Sequence, residues 1–367
     1  MAQARGRNSV FMHGLSVLLA AGGCSIASAA TLSSPTMPVS ARALLPFEMV
    51  DRVVYVRGTI AGSRPLWILI SSGSAGAAID GAVAKELGLA EGAVFTFGGA
   101  EVPVEKLARA DLGTAEDIAG HPVDAIIGYD LFRRYVVEID YYGQVVRLHD
   151  PASYRADPRA TSLPMRIDKG QAYVEAKVNF AGLARISRQY RLDTGIGGAI
   201  VDEAVKTAGA PKLDIVGDGF SLTLARTRSV GIGPFTFAGA NAFNGEPSIG
   251  GELLRRFTTV FDYGRGRLSL LPNRHYDDVF CFEMLGVELS VARAAKGMRI
   301  DAIYKGSTAE KAGLRIGDIL TAIDGTPTVQ LPLGQVRMMF GQQNSYVLTV
   351  RRGDASRTVP VTLSAAL

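Results

Sequence analysis

At 367 residues the chain is too long for one ordinary core and suits two or three domains of roughly 100 to 150 residues each. Hydrophobic residues at 47%, charged residues at 20% and 42 spread glycines exclude a disordered or fibrous chain and fit a folded, turn-rich, mainly β protein. The formal net charge is +4, or +2 without Arg5 and Arg7, which gives no basis for nucleic acid or an anionic membrane surface as partner.

The first 29 residues have the layout of a secretory signal: Arg5 and Arg7, the apolar run from Val10 to Ala21, then small residues ending Ala27-Ser28-Ala29. This predicts cleavage after Ala29 and an exported protein of the periplasm or cell envelope. A lipoprotein reading competes, with Cys24 as the lipidated first residue, and is weakened by the missing aliphatic residue at position 21. A membrane enters the account only through that Cys24, because no later apolar stretch approaches the ~20 residues needed to span a bilayer. After cleavage Cys281 alone remains, so no intramolecular disulfide forms.

Next in chain order comes an internal repeat. A shift of 122 positions (193 − 71) lays residues 71–148 over 193–270 without a gap. Ile79-Asp80 falls on Val201-Asp202, Gly73 on Gly195, Ile127-Gly128 on Ile249-Gly250, Arg133-Arg134 on Arg255-Arg256, and Asp140-Tyr141 on Asp262-Tyr263. Two copies imply a pseudo-twofold pair of lobes facing each other. Short alternating segments such as Val53 to Ile60, Leu66 to Ile70, Tyr135 to Ile139 and Val145 to Leu148, broken by Gly, Asp and Asn, predict antiparallel sheets in each. The expected division is a first lobe over 30–150, a proline-bearing linker over 151–164 and a second lobe over 165–273.

The segment Tyr190-Arg191-Leu192-Asp193-Thr194-Gly195 reads as an apolar strand running into an Asp-Thr-Gly turn, with Ile249-Gly250 at a fixed distance behind it. On these motifs the body resembles the retropepsin and pepsin-like aspartic peptidases, with two lobes fused in one chain. The resemblance implies two acid-protease β lobes and a catalytic turn at Asp193, Thr194 and Gly195. In the first lobe the matching turn is Ser71-Ser72-Gly73, so Ser71 stands where both the repeat and the family place an aspartate.

The family's chemistry uses two carboxylates that share one proton; their split pKa values supply a base for water and an acid for the substrate carbonyl. A serine hydroxyl is no such base near neutral pH, and loss of one positioned general base costs roughly 100-fold to 10,000-fold. The expectation is a binding protein with impaired or no catalysis; the alternative is an active endopeptidase with an unusual or externally completed dyad. Asp80 is the nearest substitute acid but has its own repeat partner, Asp202. Ser72 and Thr194 are expected to hydrogen-bond across the lobe interface, as the corresponding hydroxyls do in the family. Other chemistries lack their residues: Gly73-Ser74-Ala75-Gly76 has no nucleophile-elbow spacing, and the four histidines are scattered without metal-ligand spacing. Gly98-Gly99 lacks the lysine of a phosphate loop and reads as a hairpin tip, placed to be a flap. No cofactor and no metal is expected.

After residue 280 a second resemblance begins. Met284-Leu285-Gly286-Val287 is similar to the carboxylate-binding loop of PDZ domains, and the run from Gly306 to Leu320, followed by Ile323-Asp324-Gly325, is similar to the bacterial form found in exported proteases. The resemblance implies an α+β PDZ domain over 281–367, with Leu333 to Phe340 as groove helix. A bound polypeptide would add a strand to the sheet, its C-terminal carboxylate met by amides at Leu285, Gly286 and Val287. Val336 and Met339 point to an apolar last residue. Protein or peptide C-termini are therefore the expected partners.

Overall fold

Alternation of apolar and polar residues sets the first strand, Ala41–Val50: Ala41, Ala43, Leu45 and Phe47 are buried while Arg42, Pro46 and Glu48 are exposed. Period-two burial of this kind fixes which face of a sheet meets the core. The same pattern runs through Gln171–Asn179, where Ala172, Val174, Ala176 and Val178 point inward. The structure, a computed structural model, describes residues 41–364; the expected leader and Cys24 lie outside the described residues. The described chain is mainly β.

The repeat is visible in the pairing. Val136–Asp140 lies antiparallel to Phe257–Asp262, and Glu138 faces Val260, its own equivalent 122 residues on (260 − 138). A pseudo-twofold axis passes through that pair. Outward on either side follow Val145–His149 and Arg267–Pro272, then Ala41–Val50 and Thr161–Pro164. Each half thus supplies three strands to one shared sheet. The segment expected as linker over 151–164 is therefore only partly a connection, because its last four residues pair with Arg267–Pro272.

Behind this sheet each half builds the same crossing. Leu66–Ile70 runs parallel to Ala125–Ile127, with Ile70 beside Ile127; Ile186–Leu192 runs parallel to Ser248–Ile249, with Leu192 beside Ile249. Gly128 and Gly250 follow these strands because a side chain there would strike the Ser74 carbonyl in one half and the equivalent Ile196 carbonyl in the other.

From Leu285 onward the chain forms a five-stranded antiparallel sheet, Val287–Ala292, Gly297–Tyr304, Ile319–Ile323, Ser345–Arg352 and Ala355–Thr362, packed by helix Leu333–Phe340. It has its own core, including Leu289, Ile300, Leu320, Val336, Phe340 and Leu348. Ser307 caps the short helix Thr308–Lys311 by accepting from the Glu310 amide at 3.2 Å.

Besides helix Gly113–Ala119, which lies against Val287–Ala292, two contacts join this unit to the body. The hairpin Lys212–Gly217 with Ser221–Arg226 extends its sheet, pairing Ile215 with Tyr304 and Gly217 with Ala302. Ile215, Leu224, Phe243, Phe282 and Tyr304 seal that joint. The equivalent hairpin of the first half, Ala93–Phe97 with Ala100–Val104, instead pairs with Val53–Ile60, and its tip at Gly98-Gly99 rests on Arg42 and Ala43.

The second contact grows from the two-residue turn Asp51-Arg52. Both residues adopt left-handed backbone, at φ 49° and 66°. Such a conformation costs a non-glycine residue roughly 1–2 kcal/mol, offset here by what the side chains reach. Arg52 pairs with buried Glu252 in the second half, and Asp51 pairs with Arg337 on helix Leu333–Phe340.

Candidate functional site

The two glycine-containing turns meet on the pseudo-twofold axis. Ser71, Ser72, Asp193 and Thr194 are all buried. Their backbones are placed by the crossings just described: the Ser71 amide donates to the Ile127 carbonyl at 3.0 Å and the Asp193 amide to the Ile249 carbonyl at 2.9 Å. The hydroxyls then lock the turns reciprocally. The Ser72 amide donates to Thr194 Oγ1 at 3.0 Å, and the Thr194 amide to Ser72 Oγ at 3.1 Å. In return Ser72 Oγ donates to the Leu192 carbonyl and Thr194 Oγ1 to the Ile70 carbonyl, each at 2.8 Å. Buried backbone groups left unpaired cost about 1–3 kcal/mol each, so these four bonds fix the turns to one another.

At the centre sit one carboxylate and one hydroxyl. Ser71 Oγ donates to Asp193 Oδ1 at 3.2 Å, and the Gly195 amide donates to the same oxygen at 2.9 Å. Oδ2 accepts from Arg191 at 3.2 Å. Gly73 and Gly195 are required by this closeness: a Cβ at Gly73 would fall inside the Asp193 carboxyl group, and one at Gly195 would lie 2.7 Å from Ser71 Oγ. All six residues expected at the paired turns are thus brought together.

Asp80 does not complete a dyad. Its Oδ1 accepts from the Ala82 and Val83 amides at a helix start, and its Oδ2 from the Leu112 amide at 3.0 Å. Asp202 caps the equivalent turn and is bound by Arg188 and Tyr190. The described histidines are engaged elsewhere, His121 with Glu48 and the Pro122 carbonyl, His149 with Glu138, and His275 with Asp278. Among the described residues no cluster of three or more His, Cys, Asp or Glu could hold a metal ion.

Arg191 is the site residue that the motif alone does not reveal. It pairs with both Asp193 and Glu246, the latter at 2.9 Å. Its signal lies in the period of extended backbone: residues i and i+2 share a face, so Arg191 in strand Ile186–Leu192 and Asp193 just past its end project together.

The second site lies at Leu285, Gly286 and Val287. Their amides converge as expected, on a carboxylate that belongs to the chain. Glu283 accepts from Leu285 at 3.0 Å, from Val287 at 3.2 Å, and from Gly286. Gly286 has φ 84°, and a Cβ there would strike Ser307, so glycine is demanded twice over. Burial pushes the Glu283 carboxyl up to about 8; the Gly286 amide opposes that rise, neighbouring Glu288 adds to it, and the Val287 and Leu285 amides also oppose it. Glu288 itself is buried and accepts from the Tyr304 hydroxyl at 2.5 Å. Its carboxyl is raised to about 7, by burial first, against the Tyr304 bond and Arg337, with Asp51 and Asp301 acting upward.

Strand Val287–Ala292 is paired along one edge only, with Gly297–Tyr304; helices Gly113–Ala119 and Leu333–Phe340 lie against it. Val336 is fully enclosed, and Met339 is half-buried against the same core.

Comparison with known proteins bears on this part of the chain. Over 81 residues, 22% of this chain, it is 31% identical to a probable CtpA-like serine protease of Staphylococcus haemolyticus, of which the match spans 16%. Residues 299–352 match the family model of the PDZ domain, and with the five-stranded sheet, the helix Leu333–Phe340 and the converging amides of Leu285, Gly286 and Val287 they make the C-terminal part of this chain a PDZ domain.

Proposed function

We propose that this is an exported, aspartic-peptidase-like protein of the cell envelope that holds extended polypeptide between two lobes and in its PDZ groove, with catalysis impaired or absent. One observation carries the reading: the turns at Ser71 and Asp193 interlock through reciprocal hydroxyl bonds, yet only one of them bears an acid. A lone carboxylate can orient water, but the hydroxyl at 3.2 Å is no acid to protonate the substrate carbonyl. The likeness over 81 residues to a protein named as a probable serine protease supports a proteolytic or protein-handling setting. The leader with Arg5, Arg7 and Ala27-Ser28-Ala29 supports export.

The purified protein is expected to leave unfolded protein intact across roughly pH 3 to 7, where paired carboxylates titrate. Cleavage that disappears in Asp193→Asn would overturn this in favour of the second reading, an active aspartic endopeptidase with an externally completed dyad. That reading is favoured by the complete Asp193-Thr194-Gly195 turn.

The PDZ groove is proposed to take free C-termini ending in an apolar residue. Amidating such a peptide removes a charged acceptor, and charge-assisted hydrogen bonds contribute about 1.5–3 kcal/mol. Isothermal titration with acid and amide forms should therefore show the acid binding at least about tenfold more tightly. Equal affinities would remove Leu285, Gly286 and Val287 as a carboxylate site.

A further inference from the structure

Strand addition needs two things from a PDZ groove: amides free to meet a carboxylate, and strand-edge carbonyls free to accept from the incoming backbone. Here the amides and one edge carbonyl, that of Leu289, are engaged by the chain itself. The three amides of the loop donate to Glu283, only two residues ahead of Leu285. The Met284 amide ties that segment down by donating to the Phe340 carbonyl, at the end of the groove helix, at 2.8 Å.

Along the strand edge the Leu289 carbonyl accepts from Arg337 at 2.8 Å. The same guanidinium donates to the Ile118 carbonyl at 2.7 Å and pairs with Asp51, and Arg337 is 5% exposed. Ile118 lies in helix Gly113–Ala119, which also holds Glu116 and Asp117 against Arg293 beside the far end of the strand. At Gly120, with φ 66°, a Cβ would lie 2.7 Å from that of Leu333 on the groove helix. The body therefore reaches the groove near both ends of the strand, and the loop amides and the Leu289 carbonyl, which a bound peptide would meet, have internal partners.

We propose that the PDZ groove is held closed by an internal ligand, in which Glu283 fills the carboxylate cradle and Arg337, pinned by Asp51 and Ile118, fills the strand edge. An incoming C-terminus must displace Glu283 from the amides and the Arg337 contact from Leu289, which withdraws helix Gly113–Ala119. That helix leads through His121 and Asp124 into Ala125–Ile127, whose last carbonyl positions Ser71. Ligand arrival in the groove is thereby transmitted to the paired turns. The proposal rests on the reading of this domain as a binder of free C-termini.

The binding cost of a closed site is the fraction of molecules that are open: an apparent dissociation constant rises as that fraction falls. Full-length protein is titrated calorimetrically with a peptide ending in valine with a free carboxylate. Glu283→Ala and Arg293→Ala are titrated in the same way; Arg293 is exposed and contacts only the closing helix in its ion pairs. Glu283→Ala is expected to bind about tenfold or more tightly than wild type, and Arg293→Ala by a smaller factor in the same direction. Trp67, the single tryptophan, packs on His121 at 4.7 Å between ring centroids, so its fluorescence in unmutated protein should change as the peptide is added. Equal affinity in all three proteins with no Trp67 response overturns the closed groove while leaving C-terminus binding intact. Absence of binding in all three overturns the binding reading and the closure with it.

Discussion

The turn at Ser71 and the turn at Asp193 share a backbone, a set of hydroxyl bonds and a supporting crossing, and differ in one carboxylate. What lies behind them differs far more. At position 252 the second half buries a glutamate among Arg52, Arg255 and Arg256, while the equivalent position of the first half, 130, holds an aspartate with one partly exposed partner, Arg133. Burial raises both carboxyls, but the three guanidiniums outweigh it at Glu252 and hold that group below the ordinary range, whereas Asp130 stays above it. The half that bears the acid is also the half stiffened by a buried charge network, and that network reaches Asp51-Arg52 and, through it, the PDZ helix. The interlocking hydroxyls are present on both sides although only one turn carries an acid.

Removing the charge from each equivalent position should sharpen this contrast most. Glu252→Gln leaves buried Arg52 and Arg256 without a carboxylate and Arg255 with Asp278 alone, and is expected to cost about 3–5 kcal/mol of unfolding free energy. Asp130→Asn is expected to cost about 1 kcal/mol or less, as exposed pairs do. Urea denaturation of the two variants measures the difference. Because Glu252 is lowered on folding, its contribution is present above the ordinary glutamate pKa and is lost as pH falls through its folded value, so the gap between wild type and Glu252→Gln should shrink in acid. A gap that widens in acid would mean the network is not what stabilises this half.

The hydroxyls offer the opposite test, one of sameness. Ser72→Ala and Thr194→Ala each orphan one amide and one carbonyl in buried surroundings, and each should cost about 1–3 kcal/mol. The double variant should cost less than the sum, since the two side chains serve one network. Additive, unequal losses would break the equivalence of the turns.

Much of this is legible in the sequence because a repeat without gaps carries its own alignment. The 122-residue offset alone pairs Ser71 with Asp193, Ser72 with Thr194 and Ile127 with Ile249, and the interlocked turns follow those pairs. The PDZ loop is legible for a different reason: converging amides need glycine at a fixed place, and Gly286 has φ 84°. Contacts between parts of the chain that no repeat relates are not legible. Arg337 reaches Asp51 across 286 residues, and Lys212–Gly217 joins a sheet that begins far downstream. Thr161–Pro164 reads as linker because a short strand holding a proline gives little alternation. Glu283 is adjacent to its amides and still carries no signal of its role, since a carboxylate site is expected to face a ligand and not its own chain.

A further modest effect concerns Asp80, the acid that the sequence offers nearest to Ser71. It works as a helix cap, so Asp80→Ala should cost about 0.5–2 kcal/mol and change nothing in catalysis. Introduced into Ser71→Asp protein, it should leave any acid-pH cleavage in place at a temperature where the fold is intact. Abolished cleavage there would make Asp80 a participant.

The most direct test restores the missing group. Ser71→Asp places a second carboxylate against Asp193 Oδ1, where Ser71 Oγ now donates at 3.2 Å. Two acids that close cannot both ionise and must share a proton. Cleavage of unfolded protein should be followed from roughly pH 3 to 7 in wild type, Ser71→Ala, Ser71→Asp and Asp193→Asn. Wild type and Ser71→Ala should be alike and inactive, with Ser71→Asp gaining activity by on the order of 100-fold or more over that background. Wild-type cleavage that is lost in both Asp193→Asn and Ser71→Ala would contradict the account, because Ser71 would then take part in the reaction it is held to have ended.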